Sequence, residues 1–180
     1  MAENMLEFIN KLPSPEVLWA RANDSIEDFP ESCSLTIPLM KSNPQFSAFV
    51  TEDGAGAEGT IVIRRNVEDK IDAVLMYAYD HESSFTANIE NEEGAKNQPA
   101  LSGLPAEFDE ALVPESPLFW KYDGYPATFQ NIFATAAVWY VDGEWSFAED
   151  LSEAEDFDGN PIDESKMARQ FPSIFEEFRF

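Results

Sequence analysis

Side chains suited to nucleophilic or metal chemistry are scarce in this chain of 180 residues, which contains one cysteine, Cys33, and one histidine, His81. A disulfide within the chain is therefore excluded, and a zinc site would need carboxylates for most of its ligands. His81 could act as a general base near neutral pH, but no G-x-S-x-G motif supplies the nucleophile of a Ser-His-Asp triad. We expect Cys33 to be an inert thiol near the start of a strand and His81 to be a polar residue at a strand end.

Carboxylates are the abundant reactive groups, with 35 Asp and Glu against 11 Lys and Arg and a net charge of −24. Pairs such as Glu107 with Glu110, or Glu176 with Glu177, could supply the two acids of a glycosidase-type site, which must lie about 5–10 Å apart. With so many acids, some pair meets that spacing by chance. We therefore predict a protein that is not an enzyme and has no cofactor.

One acidic stretch, around Gly159, is partly similar to a calcium-binding loop. When Gly159 is aligned with the invariant glycine of an EF-hand, Asp156 and Asp158 fall at ligand positions three and five. Ala154 and Ser165 then fall at positions one and twelve, which require an acid and a bidentate glutamate. We predict a solvated acidic loop without a metal, and an irregular calcium site stays open as an alternative.

The net charge also limits the classes of partner. A chain with a charge of −24 and a pI near 4.1 repels phosphate backbones and anionic lipid surfaces, so we expect neither direct nucleic-acid binding nor membrane binding. The first ten residues have no basic region or apolar run of the kind found in secretory signals, and no 18-residue apolar span occurs. With a lone cysteine, these features predict a cytoplasmic protein.

The longest interval without a basic residue lies in the last third of the chain, where aromatic residues are also dense. No Lys or Arg occurs between Lys121 and Lys166, and that interval holds eleven carboxylates. Dense negative charge steers a basic partner and raises its association rate, while exposed aromatic side chains next to the acids can anchor it.

These features predict a protein that binds and inhibits a basic protein, in the manner of an immunity protein or antitoxin, or as a mimic of nucleic-acid charge. The predicted partner-binding residues are Asp142, Glu144, Glu149, Asp150, Glu153, Glu155, Asp156, Asp158, Phe157, Trp120, Tyr122 and Tyr125. Two alternatives stay open. One is a small-molecule-binding or hydrolytic domain that uses buried carboxylates in an aromatic pocket, and the other is a structural subunit of a larger assembly.

The elements that position these residues begin with two short helices. Apolar residues from Met5 to Leu12 have helical spacing, and Pro13 ends that helix. Ser14 is suited to cap a second helix with Pro15 at its first position, and we expect this helix to end at Asn23-Asp24.

The middle of the chain predicts an antiparallel meander. Apolar residues alternate with polar ones or form short β-branched runs, bounded by turn residues. We predict strands over 34–39, 46–50, 60–64, 71–79 and 83–89, with the glycine-rich segment 52–59 as a hairpin loop.

The last third predicts an aromatic β-hairpin over 138–147 with a type I′ turn at Asp142-Gly143, because both central positions of that turn need positive φ. A helix through Phe129 and Phe133 would precede the hairpin, and an amphipathic helix over 165–180, broken at Pro172, would follow it.

Together these elements predict a single acidic α+β domain over 1–180. It would contain a mainly antiparallel sheet, short N-terminal helices, a C-terminal helix and the aromatic hairpin. Residues 91–117 would form a long loop or linker, with a short helix near 106–112.

Overall fold

A computed structural model describes residues 4–36, 38–39, 44–52, 57–80, 99–113, 116, 118, 120–121, 130–131, 134–148, 151, 160–161 and 164–175. This part of the chain contains α-helices, short 3-10 helices and two antiparallel sheets. The fold is therefore α+β, as the sequence predicts.

Helix α1 (Met5–Ile9) ends before the predicted end at Pro13, whereas helix α2 (Pro15–Asp28) begins after the predicted cap. Helix α1 begins with a capping box, in which Asn4 Oδ1 accepts from the Glu7 N–H at 2.8 Å. Helix α2 begins after Ser14, whose Oγ accepts from the Val17 N–H.

The predicted end of α2 at Asn23-Asp24 is wrong, because the helix continues to Asp28. Ala22 and Ser25 are both buried, so the core-facing side of the helix extends past the two polar residues. Burial of this side outweighs the weak helix propensity of Asn and Asp.

The main sheet has six strands in the order β1-β2-β3-β4-β7-β8, and all neighbours are antiparallel. The strand bounds are β1 Cys33–Thr36, β2 Phe46–Glu52, β3 Ala57–Arg65, β4 Ile71–Asp80, β5 Trp120–Lys121, β6 Gln130–Asn131, β7 Ala136–Val141 and β8 Glu144–Ser146. β2 and β3 pair as far as Glu52 opposite Glu58, which confirms the predicted hairpin but not the loop bounds of 52–59, because Glu52 and residues 57–59 belong to the strands.

Both faces of the central strands are covered. Residues 60–63 of β3 and 73–78 of β4 are buried without interruption, and successive side chains of a strand point to opposite faces. Helix α3 (Glu164–Ile174) packs against β3, β4 and β7, while α2 packs against β1 and β4. The 3-10 helix Pro99–Leu101 packs against β7.

The predicted aromatic hairpin is confirmed. Val141 pairs with Glu144, which leaves Asp142 and Gly143 as a two-residue turn with φ of 55° and 92°. These angles at both central positions are those of the expected turn type. Across the hairpin, Tyr140 and Trp145 pack edge to face with 5.5 Å between ring centroids.

The helix predicted through Phe129 and Phe133 is wrong where the structure describes the chain. Gln130 and Asn131 form strand β6, which pairs with Trp120 and Lys121 of β5. A helical period read from three apolar residues cannot distinguish a short helix from a short strand. The predicted strand over 83–89 and His81 lie outside the described residues.

Pro172 does not break the C-terminal helix. It lies inside α3, and the Phe175 N–H still donates to the Phe171 carbonyl at 2.8 Å. Proline removes its own N–H from the helix, but buried aromatic contacts hold the turn around it. The Phe171 ring stacks on Phe8 at 4.8 Å and on Phe175 at 6.1 Å.

Candidate functional site

Two of the predicted partner-binding carboxylates lie together at the turn between β7 and β8. Asp142 is in the turn and Glu144 is the first residue of β8, and both are exposed. Trp120 lies in β5, where its backbone pairs with Asn131. The remaining predicted residues lie outside the described part of the chain, namely Glu149, Asp150, Glu153, Glu155, Asp156, Asp158, Phe157, Tyr122 and Tyr125.

Strand β8 presents different chemistry on its two faces. Glu144 and Ser146 share one face and are exposed, whereas Trp145 lies on the other face against Tyr140. Both rings of this pair are half-buried. The outermost strand of the described sheet thus combines an exposed carboxylate with a partly accessible aromatic pair.

Basic residues cluster at the turn between β3 and β4, where nearby acids neutralise them. Arg64 makes a two-pronged contact with Asp72, with nitrogen–oxygen distances of 2.9 and 3.2 Å. The Lys70 ammonium lies 2.7 Å from the Glu68 carboxylate. Segment 64–72 holds three basic and three acidic residues, so it contributes nothing to the net charge of −24.

Arg65 completes this balanced segment and connects it to α2. Its guanidinium lies 3.4 Å from the Asp69 carboxylate and 5.7 Å from the centroid of the Trp19 ring. Cation–π contact with Trp19 holds the arginine on the helix. The bases of this segment therefore serve local packing.

The balanced turn and the acidic turn lie at the same end of the sheet. Ala73 at the start of β4 pairs with Val141 at the end of β7, so the turns adjoining these residues are neighbours. No ion pair joins Asp142 or Glu144 to a base within the described residues. Negative charge at this end therefore comes from the β7–β8 turn.

A second acidic surface, which the sequence analysis did not single out, lies at the end of α2. Segment 24–31 contains four acids and no base, and its carboxylates Asp24, Glu27, Asp28 and Glu31 are exposed. Phe29 stands among them with 40% of its surface exposed. The sequence did contain a signal for this surface, namely four acids around one aromatic residue within eight positions. The prediction was based instead on the longest interval of the chain without a basic residue.

Tyr77 of β4 is a buried titratable group with a clearly perturbed pKa. Burial raises the pKa of the Tyr77 phenol well above its usual value, and the nearby Glu58 carboxylate raises it further. Thr60, across the β3–β4 ladder, favours the phenolate and offsets part of this shift. The phenol therefore stays protonated at neutral pH and does not act as a base.

Two further polar groups buried near the sheet, those of Cys33 and Thr135, have hydrogen-bond partners. The Cys33 thiol donates to Thr51 Oγ1 at 3.7 Å and is buried at the start of β1, which confirms its expected position. Thr135 Oγ1 accepts from the Asp80 N–H at 3.1 Å and contacts Gln170 of α3. These contacts join strands and helices and leave no activated nucleophile among them.

The described residues form neither a metal-binding cluster nor a membrane-spanning helix. No group of three or more His, Cys, Asp or Glu side chains within the described residues could hold a metal ion. Glu107 is half-buried and Glu110 is exposed, so they do not form a buried acid pair. Among the helices the structure describes, none has the length and apolar character needed to cross a bilayer.

Comparison with known proteins assigns no family. The chain matches no protein-family model, and no curated protein or solved structure is significantly similar to it. Functional inference therefore rests on the charge and geometry of the chain itself.

Proposed function

We propose that this chain is a non-enzymatic acidic protein that binds and inhibits a basic protein, in the manner of an immunity protein, an antitoxin or a mimic of nucleic-acid charge. The observation that carries the proposal is the segregation of charge. Bases at the β3–β4 turn have acidic partners, while the acids at the β7–β8 turn and at the end of α2 face solvent. A basic partner therefore meets uncompensated carboxylates.

The inhibitory mechanism follows from this charge. Carboxylates at Asp142 and Glu144, with those predicted up to Asp158, would occupy a positively charged cleft of the target that otherwise receives phosphate. Long-range attraction speeds the encounter, and aromatic contacts slow dissociation, which is the rate that usually sets affinity differences. The half-buried Tyr140 and Trp145 rings, on the face of the β7–β8 hairpin opposite Glu144, are candidates for this second task.

The proposal places the protein in the cytoplasm, together with a cytoplasmic target. Its single cysteine is a buried free thiol, which suits a reducing compartment. A toxin of the same cell or an enzyme that acts on nucleic acid has the required positive cleft.

The test begins by identifying the target through affinity capture at low salt, elution in a salt gradient and mass spectrometry. Association kinetics with that target are then measured for the double variant Asp142→Asn/Glu144→Gln. We expect a several-fold slower association rate and a flatter salt dependence, because two uncompensated charges of the binding surface are removed.

A matched control distinguishes surface-specific steering from overall charge. The double variant Glu68→Gln/Asp69→Asn changes the net charge by the same amount, but within the balanced β3–β4 turn. It should leave the association rate nearly unchanged. Equal effects of the two variants would assign steering to overall charge, and absence of any salt-eluted basic partner would overturn the proposed function.

A further inference from the structure

The turn between β7 and β8 contains a dipeptide that can rearrange chemically. Asp142 and Gly143 are both exposed, and no atom outside the adjoining residues lies within 4 Å of the place that a Cβ of Gly143 would take. Within the described residues no ion pair holds the Asp142 carboxylate. Neither burial nor a neighbouring side chain therefore separates this carboxylate from the backbone nitrogen that follows it.

The rearrangement needs no enzyme and no cofactor. The Gly143 nitrogen bonds to Cγ of the protonated Asp142 side chain, and one water molecule leaves, made from the hydroxyl of the carboxyl group and the proton of the amide. The product is a five-membered succinimide ring. Water then adds and breaks one of the two C–N bonds of the ring. Cleavage at Cγ restores aspartate, whereas cleavage at the original peptide carbonyl gives isoaspartate, in which the backbone runs through Cβ and Cγ.

The conformation of the turn prevents ring closure while the hairpin is closed. The ring requires the Asp142 Cβ and the Gly143 nitrogen to be eclipsed about the bond between Cα and the carbonyl carbon. With φ of 55° at Asp142 and 92° at Gly143, the turn is of type I′. The ψ of the first central residue of such a turn is about 30°. Cβ and the nitrogen then lie on nearly opposite sides of that bond, so Cγ cannot reach the nitrogen until the turn opens.

The strand that follows the turn is the shortest of the main sheet. β8 has three residues, and in the described sheet it pairs only with β7. Trp145 of β8 packs edge to face on Tyr140, and both rings are half-buried. Short elements with few buried contacts open at a lower free-energy cost than the core does. Opening of β8 frees the backbone of Asp142 to rotate towards the reactive conformation.

We infer that Asp142 is a site of isoaspartate formation, which the closed β7–β8 hairpin blocks and the open hairpin permits. Isoaspartate adds one backbone carbon to a turn of only two residues, so the pair Val141–Glu144 could not close again in the same register. A transient opening of the hairpin would thereby become permanent. The modified residue keeps a carboxylate, so the net charge stays the same while the positions of Asp142 and Glu144 change.

The test measures isoaspartate at Asp142 in the protein kept at pH 6 and 37 °C, either folded or unfolded in urea. Chymotrypsin cleaves after Tyr140 and Trp145, which separates residues 141–145 from the other Asp-Gly pairs of the chain. Mass spectrometry with electron-transfer fragmentation distinguishes the two linkages. Formation should be at least about tenfold slower in the folded protein, because only the open hairpin reacts. Trp145→Ala should accelerate it about two- to tenfold, through the effect of a lost edge-to-face pair on hairpin opening.

Three further variants make the result specific. Asp142→Glu keeps the charge but cannot form the five-membered ring, so the signal from this peptide should disappear. Val67→Ser changes an exposed apolar residue outside the hairpin and should leave the rate unchanged. Tyr140→Leu removes the same ring contact as Trp145→Ala but keeps an apolar side chain, and retained dispersion of amide signals shows that each variant is folded. Equal rates in the folded and urea-unfolded protein, or an unchanged rate in both ring variants, would overturn the inference and leave the proposed function standing.

Discussion

The β3–β4 and β7–β8 hairpins, whose turns lie at the same end of the sheet, differ in whether their charged side chains form ion pairs. In the β3–β4 turn, Asn66 Oδ1 accepts from the N–H groups of Glu68 and Lys70 at 2.9 and 3.1 Å, and each nearby acid has a basic partner. In the β7–β8 turn, two residues with positive φ connect the strands, and its acids have no described basic partner.

This difference teaches that the net charge of −24 is not spread evenly over the molecule. Charges are paired next to β3 and β4, the central strands with covered faces. Among the described residues, the acids on β8 and at the end of α2 have no basic partner. The proposed binding of a basic partner depends on this difference between the two turns.

Strand β4, which pairs with β3 in one hairpin and with β7 of the other, gives a large expected effect. Tyr77 of β4 has a raised pKa because it is buried, while in the unfolded chain its phenol ionises near pH 10. Stability from the neutral phenol is complete below that pH and is lost as pH rises above it, by up to about 1.4 kcal/mol per pH unit.

Urea unfolding at pH 8, 10 and 11 checks this expectation for the unsubstituted protein and Tyr77→Phe. The variant should lose less stability between pH 10 and 11, since it has no phenol to ionise. Equal losses of stability in the two proteins would show that ionisation of Tyr77 does not cause the pH dependence.

The turns can next be compared through their backbones. Gly143→Ala should lower the free energy of unfolding by about 1–2 kcal/mol, because an L side chain at φ of 92° is strained although no atom lies within 4 Å of the new Cβ. Asp69, at φ of 63° in the other turn, is the reverse case. Asp69→Gly should be neutral or slightly stabilising in thermal unfolding, and a loss equal to that of Gly143→Ala would contradict the strain assignment.

A pair of double-mutant cycles compares what holds each hairpin together. The Tyr140–Trp145 contact should give a coupling energy of about 0.5–1.5 kcal/mol, typical of edge-to-face aromatic pairs. The half-exposed Arg64–Asp72 pair should give roughly 0.2–1 kcal/mol and respond to salt. If added salt reduced the Tyr140–Trp145 coupling energy and left the Arg64–Asp72 coupling energy unchanged, this assignment of aromatic and ionic contacts to the two hairpins would be wrong.

Exchanging the charge character of the turns gives the smallest expected effect. Lys70→Glu removes the partner of Glu68 and should destabilise the protein, whereas Glu144→Lys relieves repulsion and should stabilise it. Both changes should stay below about 1 kcal/mol because the groups are exposed. Chemical unfolding at low and high ionic strength should show both shifts shrinking with salt, and shifts of the same sign would refute the comparison.

Elements with stereochemically strict signals could be predicted from the sequence. Ser14 followed by Pro15 fixed the start of α2, and Asp142-Gly143 fixed the hairpin turn, because few other conformations suit those residues. The β-branched runs of β3 and β4 likewise allow few alternatives to buried strands. At these positions the local conformational preference of the residues agrees with the tertiary fold.

Features decided by packing could not be predicted in the same way. The continuation of α2 to Asp28 depends on burial of Ser25, and the persistence of α3 through Pro172 depends on the stack of Phe8, Phe171 and Phe175. The acidic end of α2 was overlooked because charge density along the chain does not reveal which helix face is exposed.

The order of strands in the sheet has a consequence for synthesis of the chain. β4 ends at Asp80, yet its neighbour β7 begins only at Ala136, with 55 residues between them. At roughly 5–20 residues per second, translation leaves the hydrogen-bonding edge of β4 without β7 for about 3–11 s. An open edge with apolar side chains is a template for pairing with a second nascent chain, and mutual repulsion of highly acidic chains opposes that encounter. The acidity would thus protect the incomplete sheet from pairing with other chains during synthesis, before it contributes to the proposed partner binding of the folded protein.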